Sequence, residues 1–263
     1  GDEDNGKSIR NKIATELIED GLVIDKSRPT TFKKRYLVDN QKLFRVTRLE
    51  QSQINKDVEE KIIKELEIAA ETANGIVISD FVYGVITNKI LVKVHELARK
   101  YNLSLFGDLQ CSTQIGSIMK FKEFSLLCPN EKEARIALHE KDLDLETLSL
   151  QVIKRTNSNK LLMKLGSDGF IAYEHINGKI ISQAFPALCV NPLDVTGAGD
   201  SLLAVMSVGL SSSQKMMQSA AIACCMSSIS VNKMGNQPIT REEILDCLNE
   251  KFKQSSISSL VIG

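Results

Sequence analysis

The sequence predicts an α/β fold: a mostly parallel central sheet covered by helices, with a small β lid. Three observations carry that expectation. Between Lys56 and Gly166, short apolar runs alternate with longer stretches in which apolar residues recur every third or fourth position, the mark of strand–helix–strand units. The short runs are almost continuously apolar, as strands covered on both faces must be. A cation-rich pair of strand patterns precedes this series, and after it the period changes to two around Asn177-Gly178, a strong hairpin signal.

The first element is a helix within Lys7 to Asp20, where Ile9, Ile13, Leu17 and Ile18 share a face and Gly21 follows as a stop. Thr30 to Val38 and Leu43 to Thr47 read as strands around an Asp39-Asn40 turn, a lid hairpin over about residues 29–50. Lys33, Lys34, Arg35, Arg45 and Arg48 crowd it, which suits a solvated ribbon or a flap over an anionic substrate. A helix over Lys56 to Thr72 (Val58, Ile62, Leu66 and Ala69 on one face) leads to a strand from Gly75 to Ser79 that ends at Asp80. A helix over Lys89 to Lys100 feeds a strand from Leu103 to Phe106 ending near Asp108. The strand Ser125 to Cys128 ends at Pro129-Asn130, and a helix starts at Glu131. A helix over Leu145 to Arg155 precedes the strand Lys160 to Leu165, which ends at Gly166. Phe170 to Glu174 and Lys179 to Ala184 form the hairpin. The remainder is helical: Asp200 to Leu210, Gln214 to Asn232 with Gly235 as a stop, and Arg241 to Lys251 behind the capping box Thr240/Glu243.

Composition excludes several classes. The chain has 263 residues, 43% hydrophobic and 25% charged, so it can bury a core and is not disordered. Its 33 Lys and Arg balance 33 Asp and Glu, which argues against a general nucleic-acid binder. No stretch is apolar enough to span a membrane, and no signal peptide opens the chain. Six scattered cysteines without a CxxC pair fit reduced thiols in a cytoplasmic protein rather than a zinc site. The chain opens at Gly1, without Met, in a polar run that no apolar strand precedes, so it reads as one domain over 1–263 that is incomplete at its N-terminus.

In open parallel sheets ligands sit beyond the carboxyl ends of the strands. Asp80, Asp108, Asn130 and Gly166 stand at four such ends, either as loop starters or as the rim of a phosphate or metal site. The run Asp194-Val195-Thr196-Gly197-Ala198-Gly199-Asp200 enters a helix. Without bulky side chains, the N–H groups of Gly197, Ala198 and Gly199 can converge on an anion and add the positive end of the helix to it. Asp200 at the lip can take a proton from an attacking hydroxyl. The plainer reading is a tight turn with an acidic helix cap. GxGxxG fails, because Leu202 stands where a Gly is required, and the P-loop pattern is absent.

This run resembles the signature Asp-Thr/Val-x-Gly-Ala-Gly-Asp of the ribokinase-like (PfkB-type) carbohydrate kinases. Asn130-Glu131-Lys132-Glu133 resembles that family's Asn-x-x-Glu motif, and Lys164 to Gly169 resembles its Thr-Leu-Gly-x-x-Gly strand. Arg28-Pro29-Thr30-Thr31, Gln41 to Val46 and Ser79-Asp80-Phe81 are similar to the heptose 7-phosphate kinase branch. The resemblance implies a three-layer αβα sandwich with a β lid, ATP and Mg²⁺ as cofactors, and transfer to a hydroxyl of a sugar or sugar phosphate. It implies Asp200 as general base, with the Gly197, Ala198 and Gly199 amides as anion hole. Asn130 and Glu133 would organise Mg²⁺ through water, and Lys164, Gly166 and Asp168 would touch the nucleotide. Asp194 and Thr196 would help hold a monovalent cation such as K⁺. Arg45, Arg48 and Asp80 are its candidates for the acceptor.

The departures are informative. The family's first strand, sugar-gripping Asp and paired-Gly segment would precede Gly1, so the acceptor half is expected to be incomplete. Lys164 replaces a usual Thr, Gln110 stands near a usual Lys or Asn, and Thr47 replaces the Asp of the heptose branch. No HxGH accompanies them, so no nucleotidylyltransferase is expected; His95, His139 and His175 read as structural or solvent-facing. Two alternatives stay open: a truncated nucleotide-binding or dimerising module, and a nucleoside kinase, which the cationic hairpin disfavours. Exposed ribbon edges in the lid predict a homodimer.

Overall fold

The computed structural model describes residues 1–15, 21–38, 41–110, 116–189, 191–235 and 237–258. The chain divides into two compact units, one made of residues 1–76 and 80–103, the other of 77–79 and 104–263.

In the first unit, α1 (Asp4–Thr15) begins three residues before the expected start, while Leu17, Ile18 and the Asp39-Asn40 turn lie outside the described residues. Strands β1 (Phe32–Val38) and β2 (Gln41–Arg48) pair antiparallel, with a register shift between Tyr36 and Leu37. Helices α2 (Lys56–Ala70) and α3 (Asn88–Tyr101) pack together, because each presents an apolar stripe at helical spacing. Asn55 caps the first by accepting from the Val58 N–H, and Thr87 caps the second by accepting from Ile90. The ribbon's foot is held by Arg28, which donates to the carbonyls of Tyr83 and Ser52 and pairs with the buried Asp25. β3 (Gly75–Asp80) crosses from this unit into the other.

The second unit is built on the sheet β3-β4-β5-β6-β7-β8, with β4 (Ser104–Leu109), β5 (Leu126–Leu127), β6 (Lys160–Lys164), β7 (Phe170–Ile176) and β8 (Lys179–Phe185). β4–β5 and β5–β6 are parallel, and β6–β7 and β7–β8 are antiparallel. The period-two alternation of strands sorts their side chains. Phe106, Leu126, Leu162 and Phe170 form one core with Leu202, Leu203 and Met206 of α6 (Ala198–Ser211) and Met216, Ala220 and Ala223 of α7 (Met216–Val231). The opposite face packs with α4 (Glu131–Leu138) and α5 (Leu145–Thr156), which bury Ala134, Leu138, Leu148 and Val152. There Gly107 has no room for a side chain: a Cβ would stand 3.0 Å from Phe121 and 3.1 Å from Phe124. Helix α8 (Arg241–Ser258) packs on α7, started by the Thr240/Glu243 capping box. The expected αβα sandwich and small β sheet are thus both present, and no described helix is long and apolar enough to cross a membrane.

Two boundaries moved in ways that matter for the site. β4 runs through Asp108 rather than stopping before it, so Asp108 shares the Phe106 face, beneath α6. α6 starts at Ala198, two residues before the expected start, because Gly197 is its N-cap in a left-handed conformation (φ 84°) that a side chain would oppose.

Candidate active site

The second unit brings together Asp108, Gln110, Asn130, Glu133, Lys164, Gly166 and the start of α6. Asp108 and Lys164 both lie on the α6 face at the carboxyl ends of their strands. The Lys164 ammonium binds both Asp108 oxygens, at 2.8 and 2.9 Å. Asp108 is fully buried, whereas the Lys164 side chain keeps 17% of its exposure. Burial alone would push this ammonium toward neutrality, but the charges of Asp108 and Glu133 outweigh it and hold its pKa above the ordinary lysine value. A Cβ on Gly199 would stand 3.5 Å from Lys164 Nζ, so the ammonium lies directly against the first turn of α6.

Asp200 is the third residue of α6, half-buried, and its Oδ1 accepts from Gln110 Nε2 at 2.7 Å. Burial first, and then the Asp108 charge, raise its pKa above the usual aspartate value; the Gln110 hydrogen bond and Lys164 oppose them. The Ala198 N–H donates to Val195 O at 3.4 Å, while Gly199 and Asp200, as first-turn positions, have no carbonyl one turn back. The expected amides of Gly197, Ala198 and Gly199 thus stand at the start of α6, followed by that of Asp200.

Asn130 and Glu133 form a reciprocal capping box on α4: Asn130 Oδ1 accepts from the Glu133 N–H, and Glu133 Oε2 from the Asn130 N–H, both at 2.8 Å. The Asn-x-x-Glu spacing is thus also a helix-start device that holds Glu133 buried beside β6. Asp194 Oδ1 accepts from the N–H and hydroxyl of Thr196, and its Oδ2 from the Gly235 N–H at 3.3 Å. No cluster of three or more His, Cys, Asp or Glu side chains suited to a metal lies among the described residues. Glu133, with one oxygen taken by the Asn130 N–H, is a carboxylate of the kind that suits Mg²⁺ carried on phosphate and water.

A cavity of about 560 Å³ opens beside this cluster. Its lining combines Lys164, Gly166, Ser167, Gly199, Ser227 and Ser228 with the apolar Pro186, Leu188, Val195, Leu202, Cys224 and Val231. Gly166 and Lys164 line it with Ser167, while Asp168 sits exposed in the single turn 166–168 and is not among its lining residues. The apolar wall went unforeseen, since residues after β8 and on α7 carry no polar signature. Cys224 both packs in the core and lines this wall.

The acceptor candidates lie in the first unit. Asp80 is buried and accepts from the Val82 N–H at 2.9 Å. Arg45 and Arg48 stand three residues apart on one strand and so point to opposite faces of the ribbon. Arg45 sits opposite Arg35, on the face whose Lys33 covers the Phe81 and Tyr83 rings at 4.8 and 5.2 Å. Arg48 sits opposite Phe32. Arg35 is therefore the partner of Arg45 that the sequence reading did not select, and period two could have found it.

Comparison with known proteins agrees with this arrangement. A family model described as "pfkB family carbohydrate kinase" matches residues 1–243. The "Bifunctional protein HldE" of Helicobacter acinonychis is 31% identical over 254 residues, covering 95% of this chain and 53% of that protein. The protein of the same name from Geobacter sulfurreducens is 28% identical over 252 residues, 94% of this chain and 50% of its own length. The chain therefore spans about half the length of the curated relatives it matches. Among solved structures, phosphofructokinase-2 from Escherichia coli in complex with substrates and products aligns with a TM-score of 0.76 at 14% identity, covering 93% of this chain and 78% of that one. Ribokinase from Giardia lamblia aligns with a TM-score of 0.76 at 17% identity, covering 94% and 80%. These two establish a ribokinase-like fold, and the family match over nearly the whole sequence, with the Asp200 cluster where that fold ends its strands, shows that the chain belongs to the pfkB family of carbohydrate kinases.

Proposed function

We propose that this chain transfers the terminal phosphoryl group of ATP to a hydroxyl of a sugar or sugar phosphate, within one kinase unit whose lid is the hairpin at about residues 29–50. One observation carries the reading: Asp200, with raised proton affinity, stands on the first turn of α6, next in sequence to Gly199, which together with Lys164 lines the cavity. The apolar lining residues suit a base and Lys164, Gly166 and Ser167 suit phosphates, and the volume of about 560 Å³ is ordinary for a small-molecule site. Asp200 takes the acceptor's hydroxyl proton. The amides of Gly197, Gly199 and Asp200 face the charge that grows on the transferred phosphoryl. Mg²⁺ bound to the nucleotide neutralises phosphate charge, with Glu133, seated by Asn130, reaching it through water. Asp194 and Thr196 remain the candidates for a K⁺-assisted loop. Arg45, now with Arg35, is the candidate for an acceptor that already carries phosphate, such as a heptose phosphate; Arg48 faces away from that pair, and Asp80 stays a candidate for a sugar hydroxyl. A cytoplasmic homodimer formed through the lid completes the reading.

The test is a coupled ADP-release assay on a panel of sugars and sugar phosphates, for wild type and Asp200→Asn. Removing a general base costs about 10²- to 10⁴-fold in rate. Asp200→Asn should bind MgATP, seen as a raised melting temperature, and turn over slower by that factor. Equal turnover in the variant would reject the assignment. A melting shift without turnover on any acceptor would favour a nucleotide-binding module instead.

A further inference from the structure

We infer that Lys164 is a catalytic residue of this kinase: its ammonium, clamped by Asp108, donates a hydrogen bond to the phosphoryl group in transfer. The inference rests on the kinase reading and adds a role to it. An ammonium has three protons. Two are engaged by the two oxygens of Asp108, at 2.8 and 2.9 Å. Asp108 is fully buried, so the clamp is fixed, while the lysine retains exposure and lines the cavity. Nζ lies against Gly199, where the available amides of α6 open. A phosphate oxygen seated on those amides falls within reach of the third proton. Just past the end of β4 stands Gln110, whose amide is spent on Asp200. Among the described residues lining the cavity, Lys164 is the side chain that carries a positive charge.

The step balances simply. The acceptor oxygen forms a bond to the γ-phosphorus, and its proton passes to the Asp200 carboxylate. The bond from that phosphorus to the β–γ bridging oxygen breaks, and its electron pair leaves on ADP. Lys164 keeps its proton and stabilises the oxygens whose charge changes, as preorganised donors do.

Lysine removal alone strands a buried carboxylate, so Lys164→Met is expected to unfold more readily and cannot decide the matter. The decisive variant is Asp108→Asn/Lys164→Met, which removes both charges together. It should fold with a melting temperature close to that of wild type yet lose about 10²- to 10³-fold in kcat, the cost of one transition-state donor. The preference for ATP over ADP, measured by calorimetry, should fall by about 10- to 100-fold, as when a charged hydrogen bond is lost. Lys164→Arg should restore part of both. If the double variant regains wild-type turnover and keeps the ATP preference, the lysine only neutralises Asp108 and the inference is wrong. The two readings separate cleanly. A wild-type chain that prefers ATP through Lys164 but phosphorylates no sugar defeats the acceptor reading alone, and a wild type without ATP preference defeats the lysine role.

Discussion

A carboxylate that works as a base must be ionised, and Asp200 is pushed the other way. Burial and the nearby Asp108 charge favour its neutral form, so its folded pKa lies above the unfolded value of about 3.9. The sign follows: turnover is lost as pH falls through that raised value, at a higher pH than for an ordinary aspartate. Gln110 opposes the shift by donating to the ionised form at 2.7 Å. Gln110→Ala should therefore move the acid limb of the kcat/KM profile further toward neutral pH, while an unmoved limb would show that another group controls it. Stability runs opposite to activity. A raised folded pKa opposes folding above the unfolded value, so Asp200→Asn should melt no lower than wild type at neutral pH, checked by a thermal scan beside the activity assay. These residues also mark how far the sequence reaches. The run Gly197-Ala198-Gly199 leading into Asp200 was legible as a helix start because a main-chain nest is a local pattern, and Asn130 with Glu133 because a capping box has a fixed spacing. The Gln110–Asp200 bond spans 90 positions and the Lys164–Asp108 pair 56, and only a fold brings such partners together. The apolar cavity wall left no sign at all, since Pro186, Leu188 and Val231 look like any other apolar residues.

Among the elements, the ribbon and the loop after β3 show strain with consequences. Cross-strand register puts Arg35 directly opposite Arg45, and like charges so placed weaken a two-stranded sheet. Arg45→Glu turns that repulsion into an ion pair and should stabilise the ribbon by about 0.2–1 kcal/mol. The same change should raise KM for a phosphorylated acceptor more than Arg48→Gln does, because Arg48 lies on the other face beside Phe32. Equal KM effects from the two variants would count against an anion bound on the Arg35/Arg45 face. Beyond β3, Val82 holds φ at 61°, a left-handed conformation that a β-branched side chain resists at about 1–3 kcal/mol. Its N–H bonds the Asp80 carboxylate, and Gly84 follows at φ 79°. Val82→Asn should melt higher by the relief of that strain, since Asn tolerates left-handed backbone. The strand and helix identities were legible here because periodicity is a property of the element; the strain was not, since nothing in the letters Asp-Phe-Val-Tyr-Gly fixes a backbone angle.

At the scale of the whole molecule the ribbon raises the question of what covers it. A hairpin of two strands is marginal alone, and this one has an apolar face. Phe32, Tyr36, Phe44 and Val46 share that face at 41%, 37%, 56% and 49% exposure, with the Tyr36 and Phe44 rings stacked at 4.4 Å and Lys34 over Tyr36. A second copy offering the same face would cover it by two-fold symmetry, which asks each patch only to complement itself. Aromatic side chains bury about 150–250 Å² when fully covered, so three that are about half exposed contribute roughly 400–700 Å² across two copies, and even with Val46 added the patch stays below the 1,200 Å² or more of a standard interface. The expected dimer is therefore weak, dissociating over a micromolar range rather than remaining intact on dilution. Sedimentation equilibrium should show a mass that climbs from one chain toward two with concentration. Phe44→Lys places a charge at the centre of the patch and should hold the mass at one chain throughout, while melting close to wild type at low concentration, where no partner is bound. A wild type that stays at one chain well above that range leaves the ribbon's apolar face facing water and removes the lid as a dimerising element.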